Sequence, residues 1–200
     1  MKTLELNGSP RTDFGKKASK NVRNKGNVPS VLYGGEKNLH FQVKKEDLRA
    51  LIYTPAVHLI KLNIAEKAYM SILQDVQFHP VSDEPLHLDF LQIFEDKPIL
   101  IEVPVKLNGF AAGVKDGGKL SLDLRKLKVK ALYKDIPDFL EIDITNLELG
   151  KTVQVGDLEF PNMELMNTKN AVVCAVKLTR VARGIAAATA ATESEESETE

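Results

Sequence analysis

The sequence predicts a mainly β protein with short helices: an N-terminal β-barrel domain, a second all-β domain and a disordered acidic tail. Three observations point there. Apolar residues recur with a period of two through most of the chain, and turn signals punctuate those runs. The polar link Glu95-Asp96-Lys97-Pro98 divides a region mixing strands with short helices from one that alternates almost purely. Two hundred residues are enough for two small domains, each with its own core.

In the first region Leu4 and Leu6 alternate with polar neighbours, as do Leu39, Phe41 and Val43, and both runs read as strand. Leu48, Leu51 and Ile52 have helical spacing after the acidic Glu46-Asp47 start, and Pro55 follows as a stop. Tyr69 to Val76 and Leu86 to Phe94 read as further strands, separated by the turn-rich run from His79 to Pro85. Several strands and few helices within ninety residues favour a small barrel or half-open sheet. The domain expected here covers residues 1–94.

Beyond the link, Ile99, Ile101, Val103, Val105 and Leu107 alternate cleanly, as do Leu127, Val129, Ala131 and Tyr133, then Leu140, Ile142 and Ile144. Asn108-Gly109, Asp116-Gly117-Gly118 and Leu149-Gly150-Lys151 are the turns. A second all-β domain is expected over 95–180. The Ala/Thr and Glu/Ser/Thr runs of 181–200 lack the apolar content to order themselves and predict a disordered tail. No internal repeat is evident.

Composition excludes several classes. The single cysteine, Cys174, allows no intrachain disulfide and no multi-cysteine metal site, and its apolar surroundings read as a buried structural thiol. No apolar run approaches the roughly 20 residues of a membrane span, and the opening lacks the apolar stretch of a signal peptide. A cytoplasmic, reducing setting is expected. The net charge of −1 hides an asymmetry: residues 1–30 carry seven Lys/Arg against two acids, while residues 181–200 carry Arg183 against five glutamates. A polyanion-binding surface is therefore expected near the N-terminus.

Two constellations in the first region carry chemistry. In the first, the spacing predicts a short helix over Lys16 to Lys25, with Gly26 as a left-handed stop. Lys16, Lys20 and Arg23 then fall at i, i+4 and i+7, within roughly 60° of one face at about 100° per residue. Ala18 and Val22 take the opposite face and can pack on the barrel, and Arg11 lies just upstream. Phosphates favour such a stripe because each one neutralised releases a condensed counterion; the competing reading is a solvated lysine-rich helix. Tyr33 follows, before Gly34-Gly35, two residues that let backbone come close to a large partner. It is placed either in the core or where it can stack on a base or donate to a phosphate or 2′-OH.

The second constellation joins Gln77 and His79 to His87 and Asp89. In strand geometry Leu86, Leu88 and Phe90 point one way and His87 and Asp89 the other, while Gln77 and His79 would share a face next door. Gln, His and Asp suit sugar hydroxyls and base edges. Three rivals compete: a His79/His87/Asp89 metal site, a His–Asp general base, and a structural surface pair. The first has no fourth candidate ligand and the second no activated nucleophile, since Ser82 and Cys174 sit in no activating motif. A P-loop, a dinucleotide fingerprint and HExxH are absent from the sequence.

The run from Gly15 to Arg23 with that from Gly26 to Gly35 resembles the opening motif of bacterial large-subunit ribosomal protein twenty-five. The stretches Asp75 to Pro80 and Leu86 to Phe90 resemble that family's second motif. From Pro98 to about Val176 the chain looks like the family's long form, once called a general stress protein, through pieces such as Gly109 to Lys115, Gly117 to Leu120 and Ile142-Asp143-Ile144. The resemblance implies binding to 5S rRNA through the N-terminal barrel, at an internal loop whose non-Watson–Crick pairs widen the groove. It places the binding positions on Arg11, Lys16, Ser19, Lys20, Tyr33, Gln77, His87 and Asp89, with Arg23 as an addition. Lys20 stands where the family usually has Arg, which keeps the charge but loses bidentate and stacking geometry.

A non-catalytic RNA-binding protein of the large ribosomal subunit is the resulting expectation. Its partners are 5S rRNA and the neighbouring rRNA and proteins, with no cofactor, metal or small-molecule substrate. The rival functions are a stress-linked binder of another RNA or of a protein, acting off the ribosome, and more distantly a small β-barrel enzyme.

Overall fold

Six of the alternating runs close on themselves. The computed structural model describes residues 2–35, 37–65 and 67–179; the tail expected over 181–200 lies outside the described residues. The first six strands are β1 (Lys2–Pro10), β2 (Asn27–Tyr33), β3 (Leu39–Lys44), β4 (His58–Ile64), β5 (Lys67–Phe78) and β6 (Pro85–Gln92). They form a closed barrel in the order β1-β3-β2-β6-β5-β4. Of the two architectures expected, the barrel is the one formed. Closure leaves no sheet edge unpaired. Two ladders are parallel, β1 with β4 and β2 with β6; the other four are antiparallel.

Alternation fills the interior. Leu6, Val28, Leu32, Phe41, Val43, Ile60, Leu62, Ile64, Leu88 and Phe90 form one buried cluster. Phe41 and Phe90 meet at its centre, ring centroids 5.6 Å apart. The Leu48/Leu51/Ile52 helix is present as a 3-10 turn (Glu46–Leu48) running into a short α-helix (Arg49–Ile52), and Leu48 and Leu51 join the same core. Each fully buried side chain of this size contributes about 1.5–3 kcal/mol. Gly8 belongs to this packing, because a Cβ there would sit 2.6 Å from the Phe41 ring.

By compactness the chain falls into two units, residues 1–103 with 129–138, and residues 104–128 with the described residues from 139 onward. Strands β7 (Ile99–Asn108), β8 (Lys119–Leu122), β9 (Lys126–Ala131), β10 (Leu140–Asp143), β11 (Thr152–Gln154), β12 (Glu164–Leu165) and β13 (Val172–Lys177) complete the chain. They form a four-stranded sheet, β10-β7-β9-β12, and a three-stranded sheet, β11-β13-β8. Cys174 is buried on β13, and that burial, with Asp123 nearby, pushes its thiol up. No helix among the described residues is long and apolar enough to cross a membrane.

Candidate nucleic-acid interface

The chain leaves β1 through the loop at Arg11 and enters helix α1 (Lys16–Asn24). Gly15 opens the helix with φ +97°, and its carbonyl accepts from Ser19 N at 3.0 Å. Gly26 closes it at φ +77°, donating to Arg23 O at 3.0 Å. Both positions need the left-handed backbone that glycine adopts freely. No side chain caps the N-terminus, the first turn holds no acid, and no residue of α1 is fully buried. So short and basic a helix gains little stability alone; its attachments decide its place.

Two attachments hold it. Arg23 Nε donates to Leu86 O at 3.0 Å across 63 residues of sequence. That carbonyl is available because the β5–β6 register slips there: Gln77 faces His87 and Phe78 faces Pro85, so Leu86 is skipped. On the other side Arg11 N donates to His40 O at 3.0 Å, and its guanidinium donates to Asp13 O at 3.1 Å and Ser19 Oγ at 3.4 Å. Arg11 and Ser19 are thus brought together, and Arg23 is tied beside His87. Lys16 and Lys20 stay exposed on the helix, while Ala18 and Val22 are half-buried rather than sealed against the barrel.

The strands supply a different surface. Leu32, Leu88 and Phe90 point into the barrel, which turns Tyr33, His87 and Asp89 outward. His87 Nδ1 lies 2.7 Å from Asp89 Oδ1, each side chain about a third exposed (31% and 33%). His87 Nδ1–H donates to the carboxylate, and the opposite ring nitrogen is left for another partner. Registration sets Asp89 beside Val31 on β2 and Gln77 beside His87. Burial pushes the Tyr33 hydroxyl up, and the carboxylates of Asp89 and then Asp75 add to it. The phenol therefore stays protonated and able to donate.

A second slip explains why Gln77 faces outward. Leu73 pairs with Phe90 and Asp75 with Asp89, so Gln74 is an extra residue on β5. Leu73 and Val76 pack on the core on either side of it. Strict alternation from Leu73 would have sent Asp75 and Gln77 inward; the bulge turns both out. Asp75, its Oδ1 accepting from Val76 N at 2.8 Å, lies two residues before Gln77 on the same face and joins the group. Apolar Leu73 followed by apolar Val76, three positions on, was its signal.

His79 is placed otherwise than expected. β5 ends at Phe78, and the His79 Nδ1 accepts from Val81 N at 3.3 Å and Ser82 N at 3.2 Å, so it staples the turn instead of sharing a face with Gln77. Lys45 and Glu84 bridge the same turn. The close approach at Gly34 (φ +93°) is to the chain's own β6, where a Cβ would lie 2.7 Å from Leu91. Among the described residues no group of three or more His, Cys, Asp or Glu could hold a metal ion.

Cations on a helix, and a phenol with amide, imidazole and carboxylate groups on the strands, thus lie on the same barrel, with Arg23 joining helix to strand at Leu86. Comparison with known proteins points the same way. Residues 6–90 match the Ribosomal L25p family, and residues 98–180 match the C-terminal domain of ribosomal protein TL5. A large ribosomal subunit protein bL25 of Porphyromonas gingivalis is 55% identical over 188 residues, 93% of this chain and 98% of the relative. Proteins of the same name from Azobacteroides pseudotrichonymphae and Phocaeicola vulgatus are each 57% identical, covering 92% and 94% of this chain and 97% and 98% of the relatives. Matched in order by both family models and by these relatives over nearly its whole length, the chain belongs to the bacterial ribosomal L25p family, in the long form with a TL5-type C-terminal domain, a family of structural rather than enzymatic ribosomal components.

Proposed function

We propose that the protein is a structural constituent of the large ribosomal subunit, working in the cytoplasm, and that residues 1–94 bind 5S rRNA. Residues 95–180 form the second β domain in this reading, and the neighbours are rRNA and proteins of the subunit. One observation carries the reading. Arg23, the end of the Lys16–Lys20–Arg23 row, is tied to the Leu86 carbonyl next to the His87–Asp89 pair. Phosphate-binding charge and edge-reading groups are thereby held in one frame, which recognition of a shaped RNA helix requires. Lys16, Lys20 and Arg11 provide the backbone contacts, with Ser19 beside Arg11. Tyr33, Gln77, His87 and Asp89 provide donors and acceptors for 2′-hydroxyls and bases.

The test is binding of the full chain to 5S rRNA alongside a size-matched RNA, with gradient sedimentation of lysate to ask whether the protein travels with large subunits. Preference for 5S rRNA, with log affinity falling against log salt at a slope of roughly −2 to −4 for three or four phosphate contacts, is expected. Equal affinity for both RNAs and sedimentation away from the large subunit would sink the proposal.

A further inference from the structure

Helix α1 is basic on more than one side. At about 100° per residue, Lys17, Asn21 and Lys25 lie 100–180° around the axis from Lys16. They line a groove of about 580 Å³ on that flank, opposite the row of Lys16, Lys20 and Arg23. The facing wall is the loop from Pro10 to Phe14, and half-buried Ala18 and Val22 contribute apolar surface. Arg11, Lys17 and Lys25 outnumber Asp13, so the lining carries a positive excess. The volume falls in the range of small-ligand sites, about 300–1,000 Å³.

Phe14 gives the groove its character. Its side chain is 61% exposed, although the ring is propped in a T-shaped contact with His40, centroids 5.0 Å apart at 68°. A phenyl ring held in water at the lip of a cationic groove is the combination that takes single-stranded nucleic acid: cations track the backbone and an aromatic face stacks a base. An acidic peptide would satisfy the lysines and leave the flat ring unused.

We propose that this groove holds one unpaired nucleotide of the bound RNA, its base stacked on Phe14 and its flanking phosphates on Lys17 and Lys25. The proposal rests on the RNA-binding reading above. It sets α1 between two stretches of RNA backbone, one on each flank.

The experiment uses the full-length chain and 5S rRNA. Phe14→Ala weakens binding about 5- to 150-fold, the value of one stacked base, with the salt slope unchanged. Phe14→Tyr restores binding and Phe14→Leu does not, because leucine keeps the apolar packing without a flat face. Lys17→Ala combined with Lys25→Ala lowers the slope by roughly 1.4–1.8. The chain contains no tryptophan, so Phe14→Trp installs a single indole whose emission is quenched stoichiometrically by the RNA. Thermal unfolding of each variant controls for folding. Should the groove variants bind like the parent while Lys16→Ala and Lys20→Ala lose affinity, the groove is empty of RNA and the RNA-binding reading stands without it. A parent protein that fails to bind 5S rRNA removes both. Indole quenching by polyglutamate and not by RNA assigns the groove to a protein partner and overturns the proposal, as does Phe14→Leu binding as well as the parent.

Discussion

Helix α1 and the outer face of β5 and β6 lie side by side, yet they are built on opposite plans. The helix buries no residue completely, has no side-chain cap, and depends on Arg23 and its flanking loops for position. On the strands, outward groups alternate with fully buried neighbours: His87 and Asp89 flank Leu88, and Phe90 follows, both apolar residues at 0% exposure. Lysines act on phosphates through a field that tolerates an ångström of play. Hydrogen bonds to hydroxyls and base edges do not. The loose element thus carries the charge, and the rigid one carries the groups that need aim.

The largest expected effect comes from breaking the rigid half. Deleting Gln74 removes the bulge yet leaves Leu73, Asp75, Val76 and Gln77 opposite Phe90, Asp89, Leu88 and His87 in unbroken alternation, so Asp75 and Gln77 stay out. Leu88→Ala, by contrast, empties the fully buried position between His87 and Asp89 and should cost about 2–5 kcal/mol. Gln74→Ala keeps the residue count and should stay within about 0.5 kcal/mol of the parent, as exposed substitutions do. Denaturant midpoints of the two variants measure this. A Leu88→Ala variant as stable as the Gln74→Ala one would show that the buried alternate residues do not hold this face rigid.

That bulge also marks where the sequence stopped being readable. Strands and core followed from alternation, because burial on one face of a closed barrel imposes period two: Leu39/Phe41/Val43 and Leu88/Phe90 were legible directly. The helix was legible from its spacing and from Gly26 as its stop. The outward face was legible wherever it followed from parity, as for His87 and Asp89. Legibility failed where parity breaks. His79 reads as two residues from Gln77 on one strand, but the strand has ended, and its imidazole finds nearer donors at Val81 and Ser82. The Leu86 carbonyl could not be foreseen, since it depends on which residue the ladder skips, whereas Asp75 shares the face of Gln77 two residues on and was simply not singled out.

A smaller effect separates the two halves by their physics. Lys16→Ala or Lys20→Ala removes a phosphate contact and lowers the salt slope of log affinity by roughly 0.7–0.9 each. His87→Ala or Asp89→Ala weakens binding to the RNA with the slope nearly unchanged, because those side chains meet neutral groups, whose binding releases no counterion. Titrations of the four variants at three ionic strengths decide it. Four indistinguishable slopes would mean that helix and strands do not divide the work.

The smallest effect sharpens the comparison from within the rigid half, without any RNA. Tyr33 is pushed up first by burial and then by Asp89 and Asp75. Asp89→Asn removes the larger of the two carboxylate effects and leaves the burial in place, so the phenol should ionise at lower pH than in the parent while remaining above the ordinary tyrosine range. Asp75→Asn should act in the same direction and less. A raised phenol favours the folded state below the unfolded pKa, and that contribution fades as pH rises through the folded value. It is therefore fully present at neutral pH in all three proteins, and only alkaline titration distinguishes them. Phenolate absorbance, with the other tyrosines as an internal background, follows each curve. Were Asp89→Asn to leave the Tyr33 titration unmoved, the carboxylate would not face the phenol, and Tyr33 would belong to the loose half of the surface instead of the rigid one.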